Sequence, residues 1–250
     1  MEIWQLILLA ALGVIAGWLN VMAGGGSLLT VPVMVFMGIP GPVANGTNRI
    51  GILLQNLSAV TAFRRKGYSD FKLSLSLAAV ACVGAAVGAM MGTELEGEWF
   101  NRILALVMIG VLILMATGKD RQQATDPNKH GKPKNLALGH GLMLLAGFWG
   151  GFIQIGVGFI LMPILNRVMG LDLVRVNMHK VFIILVYTIL ALAIFAAQVE
   201  ILWTAGLALA LGTVTGGWLG AHMTISHGET WIRRVLYIAL VLMIFKLLFF

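Results

Sequence analysis

The sequence predicts an all-α polytopic membrane protein made of two homologous repeats, each containing a broken, half-length helical segment. Of its 250 residues, 59% are hydrophobic and 11% are charged, whereas soluble domains carry about 25% charged residues. The charges are clustered and leave apolar runs of roughly 20 residues, which is long enough to cross a bilayer as a helix. Glycine, proline and tryptophan positions in the first part of the chain also recur in the second part.

Helical segments are predicted in the apolar runs between charged or Gly- and Pro-rich stretches. In the first part of the chain they cover 3–22, 27–37, about 44–63, 71–92 and 99–117. In the second part they cover 136–154, 155–166, 172–198, 201–222 and 231–249. Segment 27–37 reaches only about 16 Å, roughly half of the hydrocarbon core of a bilayer. Residues 38–42 are not expected to be helical, because Gly and Pro are poor helix formers.

The repeat predicts three parts: a first transmembrane repeat at 1–117, a basic linker at 118–135 and a second transmembrane repeat at 136–250. Pro32 in the first short segment corresponds to Pro163 in the second. Each repeat also carries three glycines at four-residue spacing: Gly84, Gly88 and Gly92 in the first, and Gly212, Gly216 and Gly220 in the second. Such glycine ladders form a flat helix face on which a neighbouring helix packs closely.

Charges favour an inverted arrangement of the two repeats. Residues 64–66 are all basic, whereas the equivalent loop in the second repeat ends in Glu200. Before the last helix of each repeat, the first repeat carries Glu94, Glu96 and Glu98, whereas the second carries Arg233 and Arg234. Cytoplasmic loops collect Lys and Arg, so equivalent loops are expected on opposite faces, with linker 118–135 in the cytoplasm. The alternative is four plus four parallel spans in which the short segments are re-entrant; we prefer inversion, with five broken or whole crossings per repeat.

The broken segments contain the candidate functional residues. Arg49 and Lys180 occupy equivalent positions near the start of a long helix in each repeat. Breaks in a helix leave N-terminal N–H groups that attract anions, and we expect such ends at 25–27, 45–48, 156–158 and 176–177. The predicted substrate-binding residues are Gly25, Gly26, Ser27, Asn45, Thr47, Asn48, Arg49, Gln55, Asn56, Asn177, His179 and Lys180.

A small anion is the predicted substrate. Every Asp and Glu lies in a loop, at the end of a predicted span or at the N-terminus, whereas cation transport normally uses intramembrane carboxylates. Arg binds an oxyanion with two hydrogen bonds, and Lys acts as a point charge. Two alternatives remain at this point: Arg49 and Lys180 could extend to lipid headgroups, and Gln55 and Asn56 could hold helices together.

Other functional classes are less well supported. The positive charges lie between hydrophobic segments, which argues against nucleic-acid binding. An intramembrane enzyme would need a catalytic motif such as HExxH or GxSxG, and neither is present. Cys82 is the single cysteine, and no cofactor or metal is expected. A membrane scaffold without transport is the remaining alternative; the expected partners are the anion, the lipid bilayer and, optionally, further copies of the chain.

Three segments carry a resemblance to a known family: AGGGSLLTVPVMVFMGIP at 23–40, VANGTN at 43–48 and IGVGFILMPIL at 155–165. They resemble the TauE/SafE family of sulfite and sulfonate exporters, and the resemblance extends over the glycine ladders and the linker. It implies a permease of the bacterial inner membrane that moves small sulfur-containing or organic anions. Family members often have Ser after the Gly-Thr pair, so Asn48 and Arg49 mark a subgroup.

Overall fold

The computed structural model describes residues 1–95, 97–117 and 133–224. Its nine α-helices are α1 Ile3–Ala23, α2 Ser27–Phe36, α3 Gly41–Arg65, α4 Phe71–Thr93, α5 Gly97–Thr117, α6 Leu136–Phe152, α7 Val157–Pro163, α8 Leu173–Gln198 and α9 Trp203–Thr224. A π-helical turn, Ile164–Val168, continues α7. These ranges contain no β-strand.

The prediction of a helical membrane protein is confirmed. Four helices in the described part of the chain, α1, α4, α8 and α9, are long and apolar enough to cross a membrane. The predicted last helix at 231–249, with Arg233 and Arg234, lies outside the described residues. So do Glu96 and residues 118–132 of the predicted linker.

Both predicted short segments are present. Helix α2 has 10 residues and contains Pro32, and α7 has 7 residues and ends at Pro163. The π-helical turn directly follows Pro163. A proline lacks the N–H group that an α-helix needs, so a local change of hydrogen-bond pattern is expected beside it.

Helix α3 begins earlier than predicted. The sequence placed its start near 44–47, but α3 begins at Gly41 with Pro40 as its N-cap and Pro42 in its first turn. Proline suits the first turn because its fixed φ is helical and its missing N–H would have no partner there. Asn45 and Thr47 therefore lie inside the helix, and the predicted free helix end at 45–48 is wrong.

The predicted free end at 176–177 is also wrong. Helix α8 begins at Leu173, and the Asp172 carboxylate accepts hydrogen bonds from the N–H groups of Val174 and Arg175 at 3.1 and 3.0 Å. An aspartate N-cap satisfies the donors and the partial positive charge of a helix start. This end is therefore already occupied by an anionic group.

Each glycine ladder packs against a helix from the other part of the chain. The ladder of α4 lies on α6, and the ladder of α9 lies on α1. At Gly88, an added Cβ atom would lie 2.8 Å from the backbone nitrogen of Phe152. The absence of side chains allows these backbones to approach closely, as is usual where membrane helices cross.

The order of contacts along each pair gives the helix directions. Ala10 meets Gly212 and Trp18 meets Gly220, so α1 and α9 run in the same direction. The ladder of α4 meets α6 in the same ascending order. These two pairs are therefore parallel.

The two longest helices, α3 and α8, run in opposite directions. Gly46 near the start of α3 packs on Phe195 near the end of α8, whereas Phe63 near the end of α3 shares a buried cluster with Val181. Along the hydrogen bonds between α3 and the segment around α9, the residue numbers of both partners rise together, and the same holds between α4 and α8. Helix α3 is therefore parallel to α9, and α8 is parallel to α4. The helices thus form two sets of opposite direction: α1, α3 and α9 in one, and α4, α6 and α8 in the other.

We predict that Gly88→Ala destabilises the protein by about 1–3 kcal/mol, because the new methyl group would overlap the backbone of α6. Thermal unfolding of the purified protein in detergent measures this loss. The matched control is Gly141→Ala, in α6 itself, where an added Cβ meets no atom within 4 Å. That control should unfold at the wild-type temperature or higher, and an equal loss in both variants would contradict the packing explanation.

Candidate functional site

Arg49 is fully buried, and its guanidinium lies at the end of α6. Nη1 donates to the carbonyl of Gly150 at 3.0 Å, and Nη2 donates to the carbonyl of Gly151. Nη1 also donates to the side-chain oxygen of Gln154 at 3.3 Å, and the ring of Phe195 lies 4.4 Å from the guanidinium carbon. The last carbonyls of a helix lack partners and carry partial negative charge, so Arg49 caps the C-terminal end of α6.

Lys180 makes the corresponding contact with the end of α1. It is fully buried, and its Nζ donates to the carbonyl of Val21 at 2.7 Å and to the carbonyl of Asn20 at 3.3 Å. It also donates to the side-chain oxygen of Asn177 at 2.7 Å. Each cation therefore lies on the long helix of one part and caps the first helix of the other. Neither side chain extends to the protein surface.

The asparagines predicted beside the two cations take part in these caps. Asn45 donates to the carbonyl of Phe152 at 2.9 Å, and its side-chain oxygen lies 3.5 Å from Nη2 of Arg49. Asn177 accepts from Lys180 in the same way. The end of α6 thus receives donors at three consecutive carbonyls, those of residues 150–152.

The two breaks in the helices meet in space. Gly24 ends α1 with a φ of 79°, and Gly156 precedes α7 with a φ of 72°; this left-handed region is accessible to glycine at no steric cost. A Cβ atom on Gly158 would lie 2.7 Å from the carbonyl oxygen of Gly24. The starts of α2 and α7, predicted at 25–27 and 156–158, are therefore neighbours.

Two buried amides of α3 face the hairpin formed by α1 and α2. The hydroxyl of Thr30 donates to the side-chain oxygen of Asn48 at 2.6 Å. The amide of Asn20 donates to the side-chain oxygen of Gln55 at 3.2 Å. The nitrogen atoms of Asn48 and Gln55 have no hydrogen-bond partner among the described residues.

Three predicted site residues bond elsewhere. Thr47 accepts from the backbone N–H of Leu202 at the start of α9. His179 shares a hydrogen bond of 2.8 Å with Ser74 on α4. The amide of Asn56 donates to a carbonyl of its own helix, one turn earlier, at 2.7 Å. Ser27 is buried at the first turn of α2.

Asn20, Thr30 and Gln154 belong to the same polar cluster but were missed in the sequence. Asn20 lies near the end of α1 and Gln154 lies just beyond the end of α6, and both bond to a side chain on α3. A search for polar residues near the ends of the predicted segments 3–22 and 136–154 would have found this pair. Thr30 gave no such signal.

The described residues contain no group of three His, Cys, Asp or Glu side chains that could hold a metal ion. The site is instead rich in hydrogen-bond donors: a guanidinium, an ammonium, amides and the first N–H groups of α2. Such groups bind acceptor oxygens and negative charge.

A helical bundle with buried cations around broken helices is the arrangement of a membrane transporter, in which intramembrane charges mark the functional site. The family model described as "Sulfite exporter TauE/SafE" matches residues 9–247. The chain belongs to this family, so the resemblance seen in the sequence is confirmed.

Its relatives are named as transporters. The "Probable membrane transporter protein ORF9" of Sinorhizobium sp is 26% identical over 234 residues, which cover 94% of this chain and 88% of the relative. A "Probable membrane transporter protein" of Haemophilus influenzae is 26% identical over 245 residues, with coverage of 98% and 94%. The "Probable membrane transporter protein YfcA" of Escherichia coli is 26% identical over 242 residues, with coverage of 94% and 86%. No solved structure matches the chain.

We predict that Arg49→Gln lowers the free energy of unfolding by about 2–4 kcal/mol, because buried carbonyls at the end of α6 lose charged donors. Arg49→Lys keeps one charged donor and should fall between this variant and the wild type. Thermal unfolding in detergent measures the order of the three proteins. Arg102→Gln, which removes an exposed ion pair with Glu98, is the control and should leave the unfolding midpoint unchanged. Equal midpoints for Arg49→Gln and the wild type would contradict the capping role.

Proposed function

We propose that this chain is a secondary transporter for small anions, with sulfur-containing oxyanions such as sulfite or organosulfonates as its substrates. The anion would bind where the two broken segments meet, near Arg49 and Lys180. Family membership supports transport, and the description of the family as sulfite exporters supports this class of anion.

The observation that carries the proposal is the burial of Arg49 among neutral groups. Its partners are carbonyl and amide oxygens, and none of the carboxylates in the described ranges forms an ion pair with it. The acidic residues of the described ranges all lie at helix ends or in turns: Glu2, Asp70, Glu94, Glu98, Asp172 and Glu200. Dipoles reduce a full charge without cancelling it, so the interior keeps a positive potential that favours an anion.

We also infer that 1–117 and 136–250 are inverted repeats. The cations and the glycine ladders make equivalent contacts across the two parts, and the corresponding helices α1 and α6, α3 and α8, and α4 and α9 run in opposite directions. In the parallel alternative, corresponding helices would run in the same direction. Inverted repeats are a common basis for alternating access. The basic linker at 118–135 then lies on the cytoplasmic side of the inner membrane.

A scaffold without transport is the second candidate, because the hydrogen bonds of Arg49 and Lys180 already satisfy two helix ends. Under that hypothesis the two cations would only hold the helices together. Both hypotheses predict that substitution of Arg49 or Lys180 destabilises the protein. A measurement of anion flux therefore separates the two hypotheses, whereas a measurement of stability does not. The sequence offers no catalytic motif for an intramembrane enzyme.

Sulfite flux into proteoliposomes tests the transport proposal. We expect flux through the wild type and a loss of at least tenfold in Arg49→Ala and Lys180→Ala, measured on monodisperse, folded protein. Lys72→Gln, at an exposed position in the first turn of α4, should transport like the wild type. Undiminished flux in both alanine variants would contradict the proposed site. Absence of flux of sulfite and of organosulfonates through the wild type would favour the scaffold.

Thiol labelling tests the inverted arrangement. Single cysteines are placed at Lys66 and Gln198 in a Cys82→Ser background. Lys66 directly follows α3, Gln198 is the last residue of α8, and both positions are exposed. Because α3 and α8 run in opposite directions, an impermeant maleimide should reach the two cysteines from opposite sides of the membrane. Labelling of both from the same side would overturn the inversion.

A further inference from the structure

We propose that transport by this chain is coupled to a proton, that His179 carries this proton, and that the proton reaches His179 through the hydroxyl of Ser74. This inference rests on the proposed function and adds a second transported ion to it. The proton and the anion cross the membrane in the same direction, because each compensates the charge of the other.

The first argument is the buried contact between a serine and a histidine. Oγ of Ser74 on α4 lies 2.8 Å from Nδ1 of His179 on α8, and the two residues are 3% and 1% exposed. Nδ1 accepts a hydrogen bond from a hydroxyl in the tautomer that carries its proton on Nε2. Imidazole is also the side chain whose ordinary charge change lies closest to neutral pH. The pair therefore has the chemistry to hold and pass a proton.

The second argument is a small cavity that joins Ser74 to the end of the bundle. It lies where the end of α3 meets the start of α4, beside α8. Its wall includes the buried Ser74 and the exposed residues Arg64, Ser69 and Asp70. The centre of a water molecule has about 20 Å³ of space there, whereas about 10–15 Å³ is enough to hold one water. A water in this cavity therefore reaches from the exposed end to Ser74.

The proton step conserves the serine. A hydronium ion in the cavity gives a proton to Oγ of Ser74 and becomes water. At the same time the original hydroxyl proton of Ser74 moves to Nδ1 of His179. The hydroxyl is restored, and the imidazole becomes an imidazolium. The reverse sequence releases the proton.

The third argument is the charge balance around His179. The charged and titratable groups around it are Asp172, Arg175 and Lys180 on α8, Asp70 at the start of α4, Arg64 and Tyr68 beside the cavity, and His140 on α6. Asp172 is paired with Arg175 at 3.5 Å, and no carboxylate in the described ranges forms an ion pair with His179. A buried imidazolium needs such compensation. The transported anion supplies it, and by linkage a proton on His179 strengthens anion binding by the same factor.

The fourth argument is the position of His179 beside a cation of the proposed anion site. Lys180 follows His179 directly, and its ammonium group caps the end of α1. Consecutive residues of a helix point in directions about 100° apart, so α8 directs His179 to α4 and Lys180 to α1. A displacement of α8 therefore moves the proton site and this cation together.

The number of protons that accompany each sulfite tests the role of His179. Proteoliposomes that contain a pH-sensitive dye, with the membrane potential clamped by potassium and valinomycin, report sulfite flux and proton flux together. We expect His179→Gln to move about one proton fewer per sulfite than the wild type. Protons that sulfite itself carries enter equally with both proteins, so the difference reports the protein.

The matched control is His140→Gln. His140 makes the same kind of contact with α4, since its Nε2 lies 2.7 Å from Oγ of Ser76, but this contact is exposed. The variant should keep the wild-type number of protons per sulfite. An equal decrease in His140→Gln and His179→Gln would contradict the assignment to His179.

Ser74→Ala tests the route of the proton. We expect net sulfite flux to fall at least tenfold, because the proton is no longer delivered to His179. Exchange of sulfite for sulfite needs no delivery or release of a proton, so its rate should stay within twofold of the wild type. Ser76→Ala is the control and should leave both rates unchanged. A loss of net flux and of exchange by the same factor in Ser74→Ala would contradict the route.

An unchanged number of protons per sulfite in His179→Gln would overturn proton coupling while leaving anion transport intact. If His179→Gln does not fold, the comparison of net flux with exchange in Ser74→Ala decides the proposal. Absence of sulfite flux through the wild type would instead overturn the proposed function, and this inference with it.

Discussion

The structure depends on one constraint: the carbonyls at the end of a helix that stops in the interior of the protein must find donors within the protein. Helices α1 and α6 both stop in the interior, where α2 and α7 begin. Arg49 satisfies the end of α6, and Lys180 satisfies the end of α1. Because each cation comes from the other part of the chain, neither broken helix is complete in its own half.

The glycine ladders extend this exchange along the length of the helices. The α4 ladder packs on α6, and the end of α6 is capped by Arg49, which lies in the same half as α4. The α9 ladder packs on α1, and the end of α1 is capped by Lys180, which lies in the same half as α9. Backbone contact at this distance leaves no space for side chains, which explains why glycine recurs at four-residue spacing on both helices. The polar caps therefore depend on apolar packing, since a small shift of α1 or α6 would move its terminal carbonyls away from the donors.

Much of this organisation could be predicted from the sequence. Hydropathy located the helices, the ladders were visible as spacings, and Arg49 and Lys180 stood out as cations in apolar surroundings. The start of α3 was missed, because Pro40 and Pro42 were interpreted as a break, although Pro40 is the N-cap of α3 and Pro42 lies in its first turn. The role of the cations as caps was also missed, because it depends on which helix ends meet, and that is a property of the tertiary structure alone.

The caps also constrain how the protein can move. The helices form two sets of opposite direction, and each set contains members of both halves. Arg49 belongs to the set of α1, α3 and α9 but bonds to α6, and Lys180 belongs to the set of α4, α6 and α8 but bonds to α1. Any displacement of one set against the other must therefore break or re-form bonds to a buried cation. An anion can compensate a cation that leaves its carbonyls, whereas an empty interior would hold an unsatisfied charge at a cost of several kcal/mol. Under the proposed function, the two residues that stabilise the observed arrangement would also make its rearrangement dependent on negative charge.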